Sequence, residues 1–200
     1  HLSTTFERAA DGSYPHGYDY TRSGNPNREA LEACLMALEG GAAAAAFSSG
    51  SIAMMSLLQA LTPGDHVVAP SDMYFGLQRM MREIFIPWGL DISFIDMTNL
   101  AELEQTFKPN TRLVIIESPS NPQIRITDIT AVVALAKSVG ALVVVDNTIP
   151  TPVLQRPFSL GADFVVHATT KYLGGHSDVL GGILVAREES DLFAKVQTIQ

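Results

Sequence analysis

The chain has a single cysteine, Cys34, so no internal disulfide can form and no metal can be held by a cluster of thiolates. One lone thiol suits a reducing, cytoplasmic setting. Long apolar runs are lacking as well. Stretches such as 42–47 and 141–145 are far shorter than the roughly 20 residues that a membrane helix needs, and no signal peptide or anchor is visible. Clusters of basic residues are missing too: 21 acidic residues outnumber 13 basic ones, for a formal net charge of -8 spread along the chain, which argues against nucleic acid as a partner. No glycine-rich run ends in Gly-Lys-Ser or Gly-Lys-Thr, and no dinucleotide fingerprint follows an early strand. His167 and His176 have no flanking series of further ligands, so packing or turn hydrogen bonds are expected of them and no metal site is. Repeats and low-complexity blocks are absent after about Asn27.

What is present fits one α/β domain. With 200 residues, 46% of them hydrophobic, the chain can bury a substantial core. It starts on histidine and its last residues, 195–200, still read as an unfinished helix, so it is expected to begin inside a longer chain and to stop short of residues that complete the site. Residues 1–27 are polar, aromatic and rich in Gly and Pro, which favours an extended arm or a loop over a compact element, and such an arm could lie across a neighbouring subunit. Asn27 is expected to cap a helix over 28–39, which Gly40 and Gly41 stop. Residues 42–47 are ambiguous between strand and helix. A helix is expected over 51–60, a strand over 66–69, a helix over 76–85 and a strand over 90–95. Asn99 caps a helix through 107, a strand covers 112–117, Thr127 caps a helix over 128–138, and strands cover 141–146 and 163–166. This alternation implies a three-layer fold, a mostly parallel sheet flanked by helices on both faces.

In such a sheet the strand ends share one crevice, and polar residues just after apolar runs are candidates to gather there. Residues 48–51 (SSGS) head a helix and offer hydroxyls and free N–H groups to a phosphate, or serve as ordinary capping serines. Asp146 ends a buried strand beside Asn147 and Thr148. It could cap the next element, bind magnesium, or hold a ring nitrogen protonated. Tyr74 leaves another strand end and could stack on a planar ligand or pack against Phe75 or Trp88. Tyr20 and Arg22, two apart, point to one side if the chain is extended there, giving a hydroxyl and a guanidinium to one anion. The run HATTKYLGGHSDVLGG places two hydroxyls next to Lys171. That lysine is either an exposed loop charge or an amine held beside a carbonyl partner.

Together YTRSGNPN, FSSGS, GDHVVAPSDMYFG, ESPSNP, VVVDNTIPTP and HATTKYLGGHSDVLGG resemble, in order and across essentially the whole chain, the trans-sulfuration (Cys/Met metabolism) family of pyridoxal-phosphate-dependent enzymes. The resemblance implies the large domain of an aspartate-aminotransferase-like (type I) fold, with the large domain over 28–200. It implies Lys171 as the covalent anchor of pyridoxal 5'-phosphate and the base at the substrate α carbon, Asp146 as partner of the pyridine nitrogen, and Tyr74 over the ring. Gly50, Ser51 and Thr170 would meet the phosphate, with Tyr20 and Arg22 reaching it from a neighbouring subunit. Glu117, Asn121 and Thr148 would lie around cofactor and substrate. The implied assembly is a homodimer at least, and a homotetramer by the family's habit. The implied substrates are sulfur-containing amino acids or O-acylhomoserine, with cystathionine gamma-synthase-like replacement ahead of cystathionine gamma-lyase, O-acylhomoserine sulfhydrylase or a non-catalytic cofactor-binding fragment. Two positions depart from the family pattern: Ala168 stands where serine is frequent and Ser51 where methionine is.

Overall fold

Asparagine with proline, not asparagine alone, starts the first helix. In the computed structural model, which describes residues 3–200, Asn25 Oδ1 accepts from Asn27 N (2.9 Å) and Arg28 N (3.4 Å), and Pro26 fills the first helical position, where no N–H is needed. Helix α1 therefore runs Pro26–Glu39, two residues earlier than the expected Asn27 cap, and ends at Gly40 with φ 80°. His1 and Leu2 of the expected arm lie outside the described residues. The rest of the arm is not extended: Thr5 pairs with Tyr20 in an antiparallel bridge and the backbone turns at once, Ser23 N donating to Tyr20 O.

The elements then alternate: β1 Ala43–Phe47, α2 Gly50–Ala60, β2 His66–Pro70, and α3 Phe75–Met80, which continues through a π-helical turn at Met81–Phe85 into α4 Ile86–Trp88. Pro87 contributes no N–H, and the helix widens just upstream of it. Next come β3 Asp91–Ile95, α5 Leu100–Thr106, β4 Thr111–Glu117, α6 Ile129–Ser138, β5 Leu142–Asp146, α7 Thr151–Leu154, β6 Phe164–His167, β7 Gly182–Ala186 and α8 Asp191–Ile199. Asp128 caps α6 through Ala131 N; the expected cap, Thr127, is buried with its N–H on Ser118 Oγ.

The seven strands lie in the order β1-β7-β6-β5-β4-β2-β3, and only β7 runs against the others. The ambiguous alanine run becomes a strand because it pairs antiparallel with β7, Ala45 opposite Leu184. Sequence reading overlooked β7, whose first residue sits in a glycine pair. Alternation splits the sheet between two cores. Leu113, Ile115, Val144 and Val166 face α2, α3 and α8, while Val114, Ile116, Val143 and Val145 face α5 and α6. Each fully buried Leu, Ile or Val in these layers is worth about 1.5–3 kcal/mol, so the sheet is rigid where it carries the site. His66 is fully buried and hydrogen bonds to Thr111 Oγ1 (2.8 Å) and Ser93 Oγ (3.0 Å); burial first, then Lys108, holds its pKa below the usual histidine value. Among the described residues no helix is long and apolar enough to cross a membrane.

Candidate active site

The C-terminal ends of β4, β5 and β6, the exit of β2 and the start of α2 surround one pocket. Its lining includes Gly50, Ser51, Tyr74, Glu117, Asn121, Asp146, Thr148, Thr170 and Lys171, so nine of the eleven residues singled out from sequence come together across more than a hundred positions of chain. Tyr20 and Arg22 do not line it. The Arg22 guanidinium lies over the Tyr20 ring, 5.1 Å from its centroid, and both side chains are exposed on the folded arm. Ser48 also falls elsewhere, in a groove with Leu31 and Gln59.

The start of α2 is pressed against the segment after β6. A Cβ on Gly50 would stand 2.7 Å from Ala168 Cα, so only glycine allows this approach. Ser49 caps the helix by accepting from Ile52 N (3.2 Å), and Ala53 N donates to Ser49 O. The N–H groups of Gly50 and Ser51 are left as unused donors at the positive end of the helix dipole. Thr170 is engaged within the chain: its hydroxyl is 3.1 Å from both Gly181 O and Gly181 N. Lys171 follows in the turn, exposed to the pocket, and its ammonium makes no hydrogen bond or ion pair with another described residue.

Two carboxylates share the floor. Glu117 and Asp146 are register partners on β4 and β5 and therefore lie on one face of the sheet. Asp146 Oδ1 accepts from Thr148 N (3.0 Å), while Thr148 Oγ1 accepts from Ala168 N (2.9 Å), joining the ends of β5 and β6. Burial raises the Asp146 pKa; hydrogen bonds from Thr148 and the nearby His167 pull the other way. Glu117 is 5% exposed and accepts from Tyr74 N (2.9 Å) and Asn121 N (2.6 Å), tying two rim segments to the strand end. Burial, then the charge of Asp146, pushes it up to about 7. The rim beyond is braced by Ser120 Oγ on Asp72 (2.7 Å) and Arg125 on Asp96 (2.7 Å).

The raised Glu117 pKa has a thermodynamic consequence. Between the ordinary value of 4.5 and about 7 the folded chain holds a proton that the unfolded chain has released, so stability falls as pH rises through this window. The full effect is roughly 3 kcal/mol. Urea unfolding without added ligand at pH 5 and pH 8 is expected to show this slope, and Glu117→Gln to flatten it. An unchanged slope in the variant would assign the titration elsewhere.

Met54, Leu77, Ile149 and Leu180 also line the pocket and were not anticipated. Leu77 follows Tyr74 by one helical turn, a spacing that could have shown it; Leu180, in a polar glycine-rich loop, gives no such signal. The aromatic packing considered for Tyr74 does not occur: its ring folds back over Gly76 and is half exposed at the pocket mouth. His176 makes a turn contact, Nδ1 to Gly174 O (3.0 Å), as expected of it.

The family model for Cys/Met metabolism PLP-dependent enzymes matches residues 1–200. The cystathionine beta-lyase MetC of Bacillus subtilis (strain 168) is 49% identical over 172 residues, covering 86% of this chain and 44% of that protein. A cystathionine gamma-synthase of Mycobacterium tuberculosis (strain ATCC 25618 / H37Rv) is 47% identical over 190 residues, covering 94% of this chain and 49% of that protein. The crystal structure of metB from Corynebacterium glutamicum superposes on the whole chain and 52% of its own, with a TM-score of 0.94 at 42% identity. This chain thus spans about half the length of the relatives it matches. Match and superposition run from end to end of the sheet that builds the pocket, and the chain belongs to the Cys/Met metabolism family of pyridoxal-phosphate-dependent enzymes.

Proposed function

We propose that residues 28–200 form the pyridoxal-phosphate-binding large domain of an enzyme that exchanges the γ substituent of an O-acylhomoserine for cysteine, as a cystathionine gamma-synthase does, and that residues 1–27 serve a neighbouring subunit. The observation that carries this reading is a single pocket lined by a lysine with no partner among the described residues, a half-buried carboxylate at a strand end, and the unused N–H groups of a helix start. Those three features fit the cofactor. The aldehyde needs an amine, the ring nitrogen needs a carboxylate, and the phosphate needs N–H donors at a helix N-terminus. Two adjoining carboxylates with raised pKa values also favour a cationic ring over an empty floor.

When bound, the cofactor supplies a sink for the electron pair left on the substrate α carbon. Lys171 Nζ would hold the cofactor and, as a free amine, would take and return the proton at that carbon. Asp146 keeps the proton on the ring nitrogen, and Thr148 N–H holds the Asp146 carboxylate in line. Gly50 and Ser51 N–H would hold the phosphate, with the Thr170 hydroxyl, now on Gly181, as a further donor. Tyr74 covers the ring from the pocket mouth. Glu117 acts through the Tyr74 and Asn121 backbones that it ties down. Tyr20 and Arg22, outside the pocket of their own chain, complete the phosphate site of the neighbour in a homodimer, the minimum unit of a homotetramer.

The 47% identity to a cystathionine gamma-synthase over 94% of the chain accords with replacement, while the 49% identity to a cystathionine beta-lyase over 86% of it accords as well with cleavage, so the reading turns on the products. Product analysis on the full-length protein tests it, with cystathionine alone, O-acylhomoserine plus cysteine, and O-acylhomoserine plus sulfide. Cystathionine formed in the second mixture is expected. Cleavage of cystathionine without any synthesis would overturn the replacement reading in favour of a lyase.

A further inference from the structure

Behind the pocket floor lies a cluster of polar side chains that the scheme above does not use. Glu39, the last residue of α1, is 3% exposed, and Asn147 and His167 are fully buried. Alternation along β5 and β6 turns Asn147 and His167 away from the face that carries Asp146. One carboxylate oxygen holds both: Glu39 Oε1 accepts from His167 Nε2 (2.5 Å) and from Asn147 Nδ2 (2.8 Å). Asn147 also exchanges hydrogen bonds with Gln155, whose amide reaches Ser118 O (3.0 Å), just past Glu117. The network thus grips the residue after Asp146, the residue before Ala168 and the exit of β4. Its members continue directly into the site, since Asn147 N donates to Val166 O and Ala168 N to Thr148 Oγ1.

The arrangement is a poor way to stabilise a core. Glu39 Oε2 and His167 Nδ1 are buried without partners among the described residues, and a buried polar pair with loose ends commonly holds a fold less well than apolar side chains of the same shape. Its effect falls on the neighbour across the sheet, because His167 draws the Asp146 pKa down against the rise caused by burial.

We propose that Glu39 is a positioning residue of the active site: through His167 and Asn147 it fixes the ends of β5 and β6 and so sets the placement and charge of the Asp146 carboxylate. The inference rests on the role given to Asp146 above. The other ionisable groups at this floor are Glu117 on β4, Lys171 after β6 and, through Glu117, Asp72 after β2.

The test uses the full-length protein loaded with pyridoxal phosphate. Glu39→Gln keeps the side-chain shape and one acceptor but removes the charge. The pH titration of the bound cofactor's absorption, cofactor affinity and urea unfolding are each followed. The spectral midpoint is expected to move by about half a pH unit or more and affinity to fall about tenfold, with no further spectral shift when Glu39→Gln is added to Asp146→Asn. Should Glu39→Gln fail to fold, His167→Gln, which keeps a donor toward Glu39, carries the same measurements. A loss of urea stability with spectrum and affinity unchanged would overturn the proposal and leave a structural pair. If Asp146→Asn itself leaves the spectral titration unmoved, the reading of Asp146 is what fails.

Discussion

Replacing Lys171 by alanine is expected to abolish covalent attachment of pyridoxal phosphate. After borohydride reduction, peptide mass spectrometry should find a phosphopyridoxyl group on the Lys171 peptide of the parent chain and none anywhere on the variant. The expectation is sharp because the chain has only four lysines. Lys171 alone lines the pocket; Lys108 is tied to Asp91 at the start of β3 (2.6 Å), Lys137 ends α6, and Lys195 sits on α8. None of the other three lysines lines the pocket where the aldehyde would sit. Turnover of the full-length enzyme should drop by about 10³-fold or more, since anchor and proton-transfer group are lost together. Unfolding should change little, because the exposed ammonium has no partner among the described residues to lose. An adduct on another lysine, or turnover near the parent level, would remove Lys171 from both roles.

Asp146→Asn should separate holding the cofactor from using it. Asparagine keeps an oxygen for Thr148 N and nearly the same volume, so the pocket floor and the covalent bond at Lys171 should survive. What goes is the negative charge proposed to keep the ring nitrogen protonated. Reductive trapping on Lys171 is therefore expected to persist while kcat falls by about 10²–10³-fold with KM little changed. Normal turnover in a fully loaded variant would show that the carboxylate does not serve the ring. Loss of the cofactor altogether would make Asp146 a binding group first.

The order of strands and helices was legible because each apolar run has a length and a turn chemistry that decide it locally. The run 112–117 ends in Glu117 before a Ser-Pro turn, and 141–146 ends in Asp146. Exit residues of parallel strands converge for geometric reasons, so Tyr74, Glu117, Asp146 and Lys171 could be expected in one crevice before any contact was known. Helix caps were read less well. Asn25 and Asp128 were displaced by the neighbouring candidates Asn27 and Thr127, since capping depends on which side chain reaches back to a free N–H, a question of φ and ψ that residue type alone leaves open.

Composition and order by themselves determined the α/β class and the set of strand-end residues, and the motifs carried the family resemblance that implies Lys171 as the anchor. Only the tertiary structure decided that the alanine run is a strand, that β7 runs backwards through a glycine pair, that Tyr20 and Arg22 stay off their own pocket, and that Glu39 stands behind Asp146. The division has one physical cause. Local preference and periodicity act within a few residues and are written in the chain, whereas a partner more than a hundred positions away, such as His167 for Glu39, is chosen by packing two faces of one sheet at the same time.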